Sequence, residues 1–471
     1  MGTNKLVMNL IVLGSVLIPP VTRAQTGTDS AKIAASQTGA TPIYFETANQ
    51  QIPLIDPGSF YHEKENQVRG GLPNFFAKIK EGKPLMVAFI GGSITQASFG
   101  YRLQTAKYLE HTYPKAKFQW LNAGVSGTGT ELGAFRIQEH VLKYKPDLIF
   151  IEFAVNGAYP DGMEGMIRQT IKSNPKAEIC LIYTILTGQT AFYQKGELPP
   201  NIIALERLAE HYQLPSINLG MEAAELEAKG KLIWKGNSNT VGQGQILFAD
   251  DGIHPTTAGG NLYTAAIARA LIKIENAKPP QTKDLPTALI TSAWDKATMI
   301  GLSTLAQGRN GWELISTAAN PNLKKFSPWF TNVLTATKPG SSFSFRFRGD
   351  MIGIFDIGGP EVGQLEWTID GKPVKLIREK QGSFAYYQAI NAAIPDPLNR
   401  FNAYCNNRYR GQFDVLKLTD GEHLVTITLS GQKANKLAIL ATDPSDMLNN
   451  PEKYDQTVVY LGRILLRGNL L

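Results

Sequence analysis

Between residues 85 and 274 short apolar runs alternate with amphipathic stretches, and this alternation constrains the fold more than any other property of the chain. The runs at 85–90, 118–121, 148–154, 178–185 and 216–219 predict strands, and the stretches at 101–112, 132–144, 163–173, 202–212 and 257–274 predict helices. Leu148-Ile-Phe-Ile-Glu-Phe-Ala154 is nearly continuous rather than alternating in apolar residues, the pattern of a strand covered on both faces. Strands of that kind alternating with helices imply a doubly wound parallel sheet of the α/β class. Ligands of such sheets bind beyond the carboxyl ends of the strands, which singles out Ser93, the loop 124–130 and Asn156.

The stretch 276–286 is polar and proline-rich and predicts a linker. Beyond it the period changes to two: Ser342-Phe-Ser-Phe-Arg-Phe-Arg348 alternates strictly, and 351–357, 365–369, 423–429 and 457–466 also read as strands. Asp370-Gly371 and Asp420-Gly421 have the composition of hairpin turns. An α/β domain at 51–275 followed by an antiparallel, jelly-roll-like β-sandwich at 287–471 is the expected organisation. Residues 1–24 read as a signal peptide, with Lys5 ahead of an apolar stretch and Thr22-Arg-Ala24 as the cleavage site. That stretch is short of the ~20 residues of a spanning helix and ends at Pro19-Pro20, so export to the periplasm or medium, without stable membrane insertion, is expected. Residues 25–50, rich in Thr, Ser, Ala and Gln, predict a loose leader.

Composition narrows the function. The net charge of +7 falls to +5 once Lys5 and Arg23 leave with residues 1–24, and Lys and Arg are scattered among Asp and Glu, which argues against a nucleic-acid partner. Cys180 lies in an apolar run and predicts a buried free thiol, with a disulfide to Cys405 as the alternative in an exported protein. The sequence contains no His-Glu-x-x-His, no closely spaced cysteines and no Gly-Lys-Ser/Thr, so neither a metal nor a cofactor is expected.

The chain has six histidines, and His254 stands out because Asp251 lies three residues before it, ahead of Pro255 and a predicted helix. That spacing suits an orienting hydrogen bond between carboxylate and imidazole, with Asp250 as the competing acid. Ser93 follows a buried strand after two glycines, a placement that aims its hydroxyl into the crevice; a helix cap is the other reading. A hydroxyl is a weak nucleophile unless an imidazole takes its proton and an acid holds that imidazole in the right tautomer. Gly127 and Asn156 each follow a strand and can aim N–H donors at a developing oxyanion.

Taken together the segments around Ser93, Gly127, Asn156 and Asp251–His254 resemble the SGNH (GDSL-like) hydrolase family, whose four blocks occur in this order; the likeness covers residues 85–274. It implies a flavodoxin-like fold, Ser93 as nucleophile, His254 as base and Asp251 as its partner. The oxyanion hole would comprise the Ser93 and Gly127 N–H groups and the Asn156 amide. Two positions depart from the family: Gly92 stands where an aspartate often precedes the serine, and Gly157 where one often follows the asparagine. The absence of a Gly-x-Ser-x-Gly elbow argues against the α/β-hydrolase family.

Exported relatives with an added β-sandwich are similar to carbohydrate deacetylases, so the resemblance implies a serine esterase acting on an acetylated glycan. A non-catalytic glycan-binding protein, a lipase and an acyltransferase of the same fold are the alternatives. Tyr159, Phe192, Tyr193 and Trp234 are candidates either for stacking on sugar rings or for ordinary packing.

Overall fold

The structure, a computed structural model, describes residues 43–48, 51–275, 277, 284–305 and 309–471. The expected signal peptide and most of the expected leader and linker lie outside the described residues. The first part contains β1 (Ile43–Phe45), β2 (Asn66–Gln67), β3 (Pro84–Gly91), β4 (Lys117–Gly124), β5 (Leu148–Glu152), β6 (Glu178–Tyr183) and β7 (Ser216–Asn218). Among the described residues these form one sheet in the order β1-β4-β3-β5-β6-β7-β2. The five central strands are parallel, and the short outer pairings, β1 on β4 and β2 on β7, are antiparallel.

The strand order reverses at β3, which has β4 on one side and β5 on the other. Right-handed crossovers before and after such a reversal go to opposite faces and leave a crevice beyond the end of β3. Every residue of β5 is buried, and Phe150 stacks on Phe89 of β3 with ring centroids 5.1 Å apart. Helix Tyr101–Thr112 packs with Thr257–Ile274, and Thr130–His140 with Pro160–Ser173. The helix expected over 132–144 stops at His140, because Val141 leaves helical dihedrals (φ −136°, ψ −62°), and a 3₁₀ turn follows at Leu142–Tyr144. Two four-residue strands, β8 (Leu232–Lys235) and β9 (Ile246–Ala249), pair in parallel just ahead of Asp251. They were too short to stand out by pattern, yet they anchor the loop that carries Asp251 and His254.

The second part is rich in sheet: β10 (Ala297–Ile300), β11 (Glu313–Ser316), β12 (Asn332–Ala336), β13 (Ser342–Gly358), β14 (Gln364–Ile369), β15 (Lys372–Gln381), β16 (Phe384–Asn391), β17 (Leu398–Asn399), β18 (Arg410–Leu429) and β19 (Val459–Leu470). Among the described residues they form a ten-stranded sheet in which β18 pairs with β13, β14 and β16, and β16–β15–β14 closes a ring of pairings back onto β18. Phe343, Phe345 and Phe347 point inward, as the alternation in β13 requires. Asp370-Gly371 is a two-residue hairpin turn with both residues at positive φ (53° and 78°). Asp420-Gly421, by contrast, is no hairpin turn. It lies inside β18, opposite a register shift between Gly349 and Met351, so the expected strands 342–348 and 351–357 are one long strand, β13, and the expected strand 423–429 is the end of another, β18, whose first half was not expected.

Both parts share packing. One apolar core runs from the parallel sheet through Trp294, Phe330 and Phe355 into the second sheet, and another is confined to the second sheet. Glu164 accepts the backbone N–H groups of Leu289, Ile290 and Thr291 at 2.6, 2.9 and 2.8 Å, and Arg168 pairs with Asp295 at 3.0 Å. The chain that enters the second part is thereby fixed to helix Pro160–Ser173. Cys180 and Cys405 are both buried and neither is in a disulfide, so the disulfide alternative does not form.

Candidate active site

Ser93 opens a one-turn helix, Ser93–Gln96, directly after β3. The turn into it needs glycine for closeness: a Cβ on Gly91 would stand 2.2 Å from Thr95 Oγ1 and 2.5 Å from the Glu152 carbonyl, and one on Gly92 would stand 2.2 Å from Asn156 Oδ1. Asn156 therefore lies flat against the residue before Ser93. This explains Gly92, which the sequence showed only as a departure from the family pattern.

His254 Nε2 is 2.7 Å from Ser93 Oγ, and His254 Nδ1 is 2.6 Å from Asp251 Oδ2. Asp251 Oδ1 also accepts the backbone N–H groups of Ile253 and His254, each at 2.8 Å. Burial works against ionisation of Asp251, but these hydrogen bonds and the neighbouring imidazole outweigh it and hold the carboxyl down at about 2. With a carboxylate on Nδ1, the proton of a neutral imidazole sits there, and Nε2 is left to accept from the hydroxyl. Of the two candidate acids the loop hydrogen bonds select Asp251 as the partner of His254; Asp250 lines a neighbouring cavity.

The loop carrying Gly127 is tied to the serine loop, with Val125 N–H donating to Gly91 O at 3.0 Å and Ser126 N–H to Gln96 Oε1 at 2.9 Å. Gly127 has φ +72°, which a residue with a side chain adopts only under strain. Asn156 Oδ1 is buried with no hydrogen-bond partner among the described residues. The serine, glycine and asparagine segments thus lie on three adjoining strand ends.

Residues not evident from the sequence brace this arrangement. Arg136 is fully buried and donates to Ala123 O at 2.6 Å and to Gly91 O at 3.1 Å, which clamps the ends of β4 and β3 together. Burial alone lowers its pKa to about 9. Glu152 accepts from Thr95 Oγ1 at 2.9 Å, from Thr184 Oγ1 at 2.6 Å and from the Gly92 N–H, beneath the serine turn. Burial raises its carboxyl to about 7, and burial does the same to Glu131 beside Gly129.

Carboxyls raised in this way contribute stability that is fully present below the ordinary value near 4.5 and is lost as pH rises through 7. The melting temperature is accordingly expected to fall from pH 5 to pH 7.5, and Glu152→Gln, which cannot ionise, should flatten that slope. An unchanged slope in the variant would show that Glu152 titrates normally.

Beside His254 lies a mainly apolar cavity of about 260 Å³, walled by Ile94, Ala97, Phe99, Tyr101 and Pro255. Three of the four aromatics considered for sugar stacking are packing residues instead. Tyr159 stacks on Phe384 at 5.1 Å, Trp234 on Phe248 at 4.0 Å, and Tyr193 is buried with its hydroxyl on Asn218. His140 is buried, and His423 has a carboxylate partner, Asp370 at 2.8 Å. The other ring nitrogen of His423 meets the Thr419 carbonyl, so that pair faces no hydroxyl. Among the described residues no group of His, Cys, Asp and Glu could hold a metal ion, and no helix is long and apolar enough to cross a membrane.

Residues 89–262 match the model of the GDSL-like Lipase/Acylhydrolase family. This segment is a GDSL-like lipase/acylhydrolase domain. Through that domain the chain is a carboxylic ester hydrolase. No curated protein sequence matches the chain. A solved two-domain esterase (CEX) active on acetylated mannans, co-crystallised with mannopentaose, is similar to it with a TM-score of 0.60 at 21% identity, covering 86% of this chain and 98% of that one. A second structure of a two-domain esterase (CEX) active on acetylated mannans gives a TM-score of 0.60 at 22% identity over 84% and 95% of the two chains. At that identity the likeness is one of fold, and it extends beyond the GDSL-like domain into the sheet-rich second part.

Proposed function

We propose that this GDSL-like protein is a serine esterase that removes O-acetyl groups from a polysaccharide or oligosaccharide through an acyl-enzyme. The observation that carries the reading is the continuous hydrogen-bonded line from Asp251 through His254 to Ser93, with steps of 2.6 and 2.7 Å. Ser93 Oγ attacks the ester carbonyl while His254 Nε2 takes its proton. The imidazolium, steadied by Asp251, then returns that proton to the departing sugar hydroxyl. A water activated by the same imidazole cleaves the acetyl-Ser93 intermediate and releases acetate. The Ser93 and Gly127 N–H groups and the Asn156 amide are assigned to the oxyanion. The acetyl-glycan substrate is supported by the fold-level likeness to esterases active on acetylated mannans. Export through residues 1–24, domain limits at 51–275 and 287–471, and a sandwich arrangement of the bent second sheet are part of the same proposal.

The test is hydrolysis of p-nitrophenyl acetate, butyrate and octanoate by the purified protein, beside acetate release from acetylated mannan and xylan. Preference for acetate and release from a glycan support the reading. Preference for octanoate would assign the apolar cavity beside His254 to a long acyl chain and the protein to the lipases. Asn156→Ala is expected to lower kcat for p-nitrophenyl acetate by about 10² to 10³. Gly92→Ala should approach the same loss, because its methyl group would displace the Asn156 amide. Full activity in both variants would remove Asn156 from the oxyanion hole.

A further inference from the structure

The second sheet reaches the candidate site. Arg410, the first residue of β18, sits over Gly127, its Nη2 3.0 Å from where a Cβ on that glycine would be. On the neighbouring loop, Ser383 of the β15–β16 turn lies 3.3 Å from the corresponding point on Gly157, next to Asn156. The open side of the proposed oxyanion loops is therefore walled by residues from the far end of the chain.

That wall is positively charged. The guanidinium groups of Arg410 and Arg408 lie against the ring of Tyr404 at 4.6 and 5.5 Å, and the residue is 42% exposed. Arg408 Nε donates to the Tyr404 carbonyl at 2.7 Å, which fixes the Arg408 guanidinium beside that residue. Arg410 makes a long contact to the Gly411 carbonyl at 3.5 Å and no ion pair with a carboxylate among the described residues. Asp356, a carboxylate whose charge acts on it, is already held by Arg400. Burial lowers the pKa of Arg410. Burial and then the charge of Arg410 lower that of Arg408, and burial and then Arg408 lower that of Lys325. Arg410 is thus a half-buried guanidinium with no carboxylate ion pair among the described residues, which is costly until an anion meets its fork.

We propose that Arg410, with Arg408 and Tyr404, selects an acetylated glycan that carries a carboxylate, a uronic acid unit, and positions it across the site. The proposal rests on the esterase reading above and deepens it. The Arg410 fork takes the carboxylate while the acetyl ester lies over Ser93, and Tyr404, with both guanidinium groups against its ring, holds the arginines in place. An Arg–carboxylate contact of this kind corresponds to about a ten- to hundredfold preference.

The experiment compares acetate release from acetylated oligogalacturonides with release from the same oligosaccharides after methyl esterification of their carboxyls, which removes the charge and keeps the acetyl groups. The wild type is expected to favour the charged substrate in kcat/KM by about tenfold or more, chiefly through KM, with the preference shrinking as salt rises. In Arg410→Gln the ratio of charged to neutral should fall toward one, and Arg410→Lys, which keeps charge but loses the fork, should lie between. Arg408→Gln serves as a second variant should Arg410→Gln fail to fold by circular dichroism. Equal rates on the two substrates, or a preference indifferent to both arginines, would overturn the inference. Hydrolysis of p-nitrophenyl acetate that depends on Ser93 without preference for the charged glycan would sink this proposal and leave the esterase reading standing. Absence of hydrolysis on every ester would remove the esterase reading itself.

Discussion

Replacing Ser93 by alanine is expected to lower ester hydrolysis by a factor on the order of 10⁵ to 10⁶ without unfolding the protein. Residues that act as one unit lose most of their effect when any of them is removed, so His254→Ala should be about as severe and the double variant scarcely worse. The fold should tolerate the first change because, among the described residues, the Ser93 side chain makes no hydrogen bond beyond the one to His254 Nε2, and its backbone bond from Ala97 N–H persists. Single-turnover hydrolysis of p-nitrophenyl acetate, with circular dichroism to confirm folding, measures the effect. Activity within tenfold of wild type in the serine variant would remove Ser93 as nucleophile.

The largest effect on stability is expected at Arg400, in the second sheet. Its guanidinium and the Asp356 carboxylate are both 1% exposed and 2.6 Å apart, and Asp414 is its second partner. Burial raises the pKa of Asp356, and Arg400 opposes that rise. Arg400→Met removes the counter-charge and leaves Asp356 buried without it, which should cost about 3–5 kcal/mol. Asp356→Asn with Arg400→Met should recover part of that loss, because the fully buried carboxylate is then gone and only the partly exposed Asp414 is left without Arg400. Urea unfolding of the three variants measures both terms, and a loss below 1 kcal/mol for Arg400→Met would show that the pair adds little. The network also reaches the active-site wall: Gln412 Nε2 donates to the Arg400 carbonyl at 2.8 Å, two residues beyond Arg410.

Much of the first sheet could be read from the order of residues. Strands buried on both faces must be apolar throughout, and β3, β5 and β6 carry that mark. Helices Tyr101–Thr112 and Thr257–Ile274 have the limits their periodicity predicts. The short pair β8–β9 was not legible, since four residues carry no period, and neither was the continuity of β18 through Asp420-Gly421. A turn-forming dipeptide folds back only where the strands beside it pair with each other. Here both halves of β18 pair with β13 instead.

For the site, the sequence offered Ser93, Gly127, Asn156 and His254 with two adjacent acids. The hydrogen bonds of one loop distinguished Asp251 from Asp250, a choice that depends on dihedrals rather than on spacing. Arg136 had no signal, because a charged residue inside an amphipathic helix looks like an ordinary surface residue until its burial is known, and Glu152, inside a run read as covered on both faces, showed its burial but not what it would hold. Arg410 is distant in the chain from everything it faces at the site.

The sequence by itself determined the parallel winding, the crevice at the end of β3 and the residue types able to run acyl transfer there, because periodicity and local chemistry are properties of neighbouring residues. Only the tertiary structure decided which acid holds His254, which buried charges brace the serine turn, and that a basic wall from the second sheet closes the site. Those outcomes depend on burial and on contacts between segments up to about 280 residues apart, such as Gly127 and Arg410, and no local pattern encodes them.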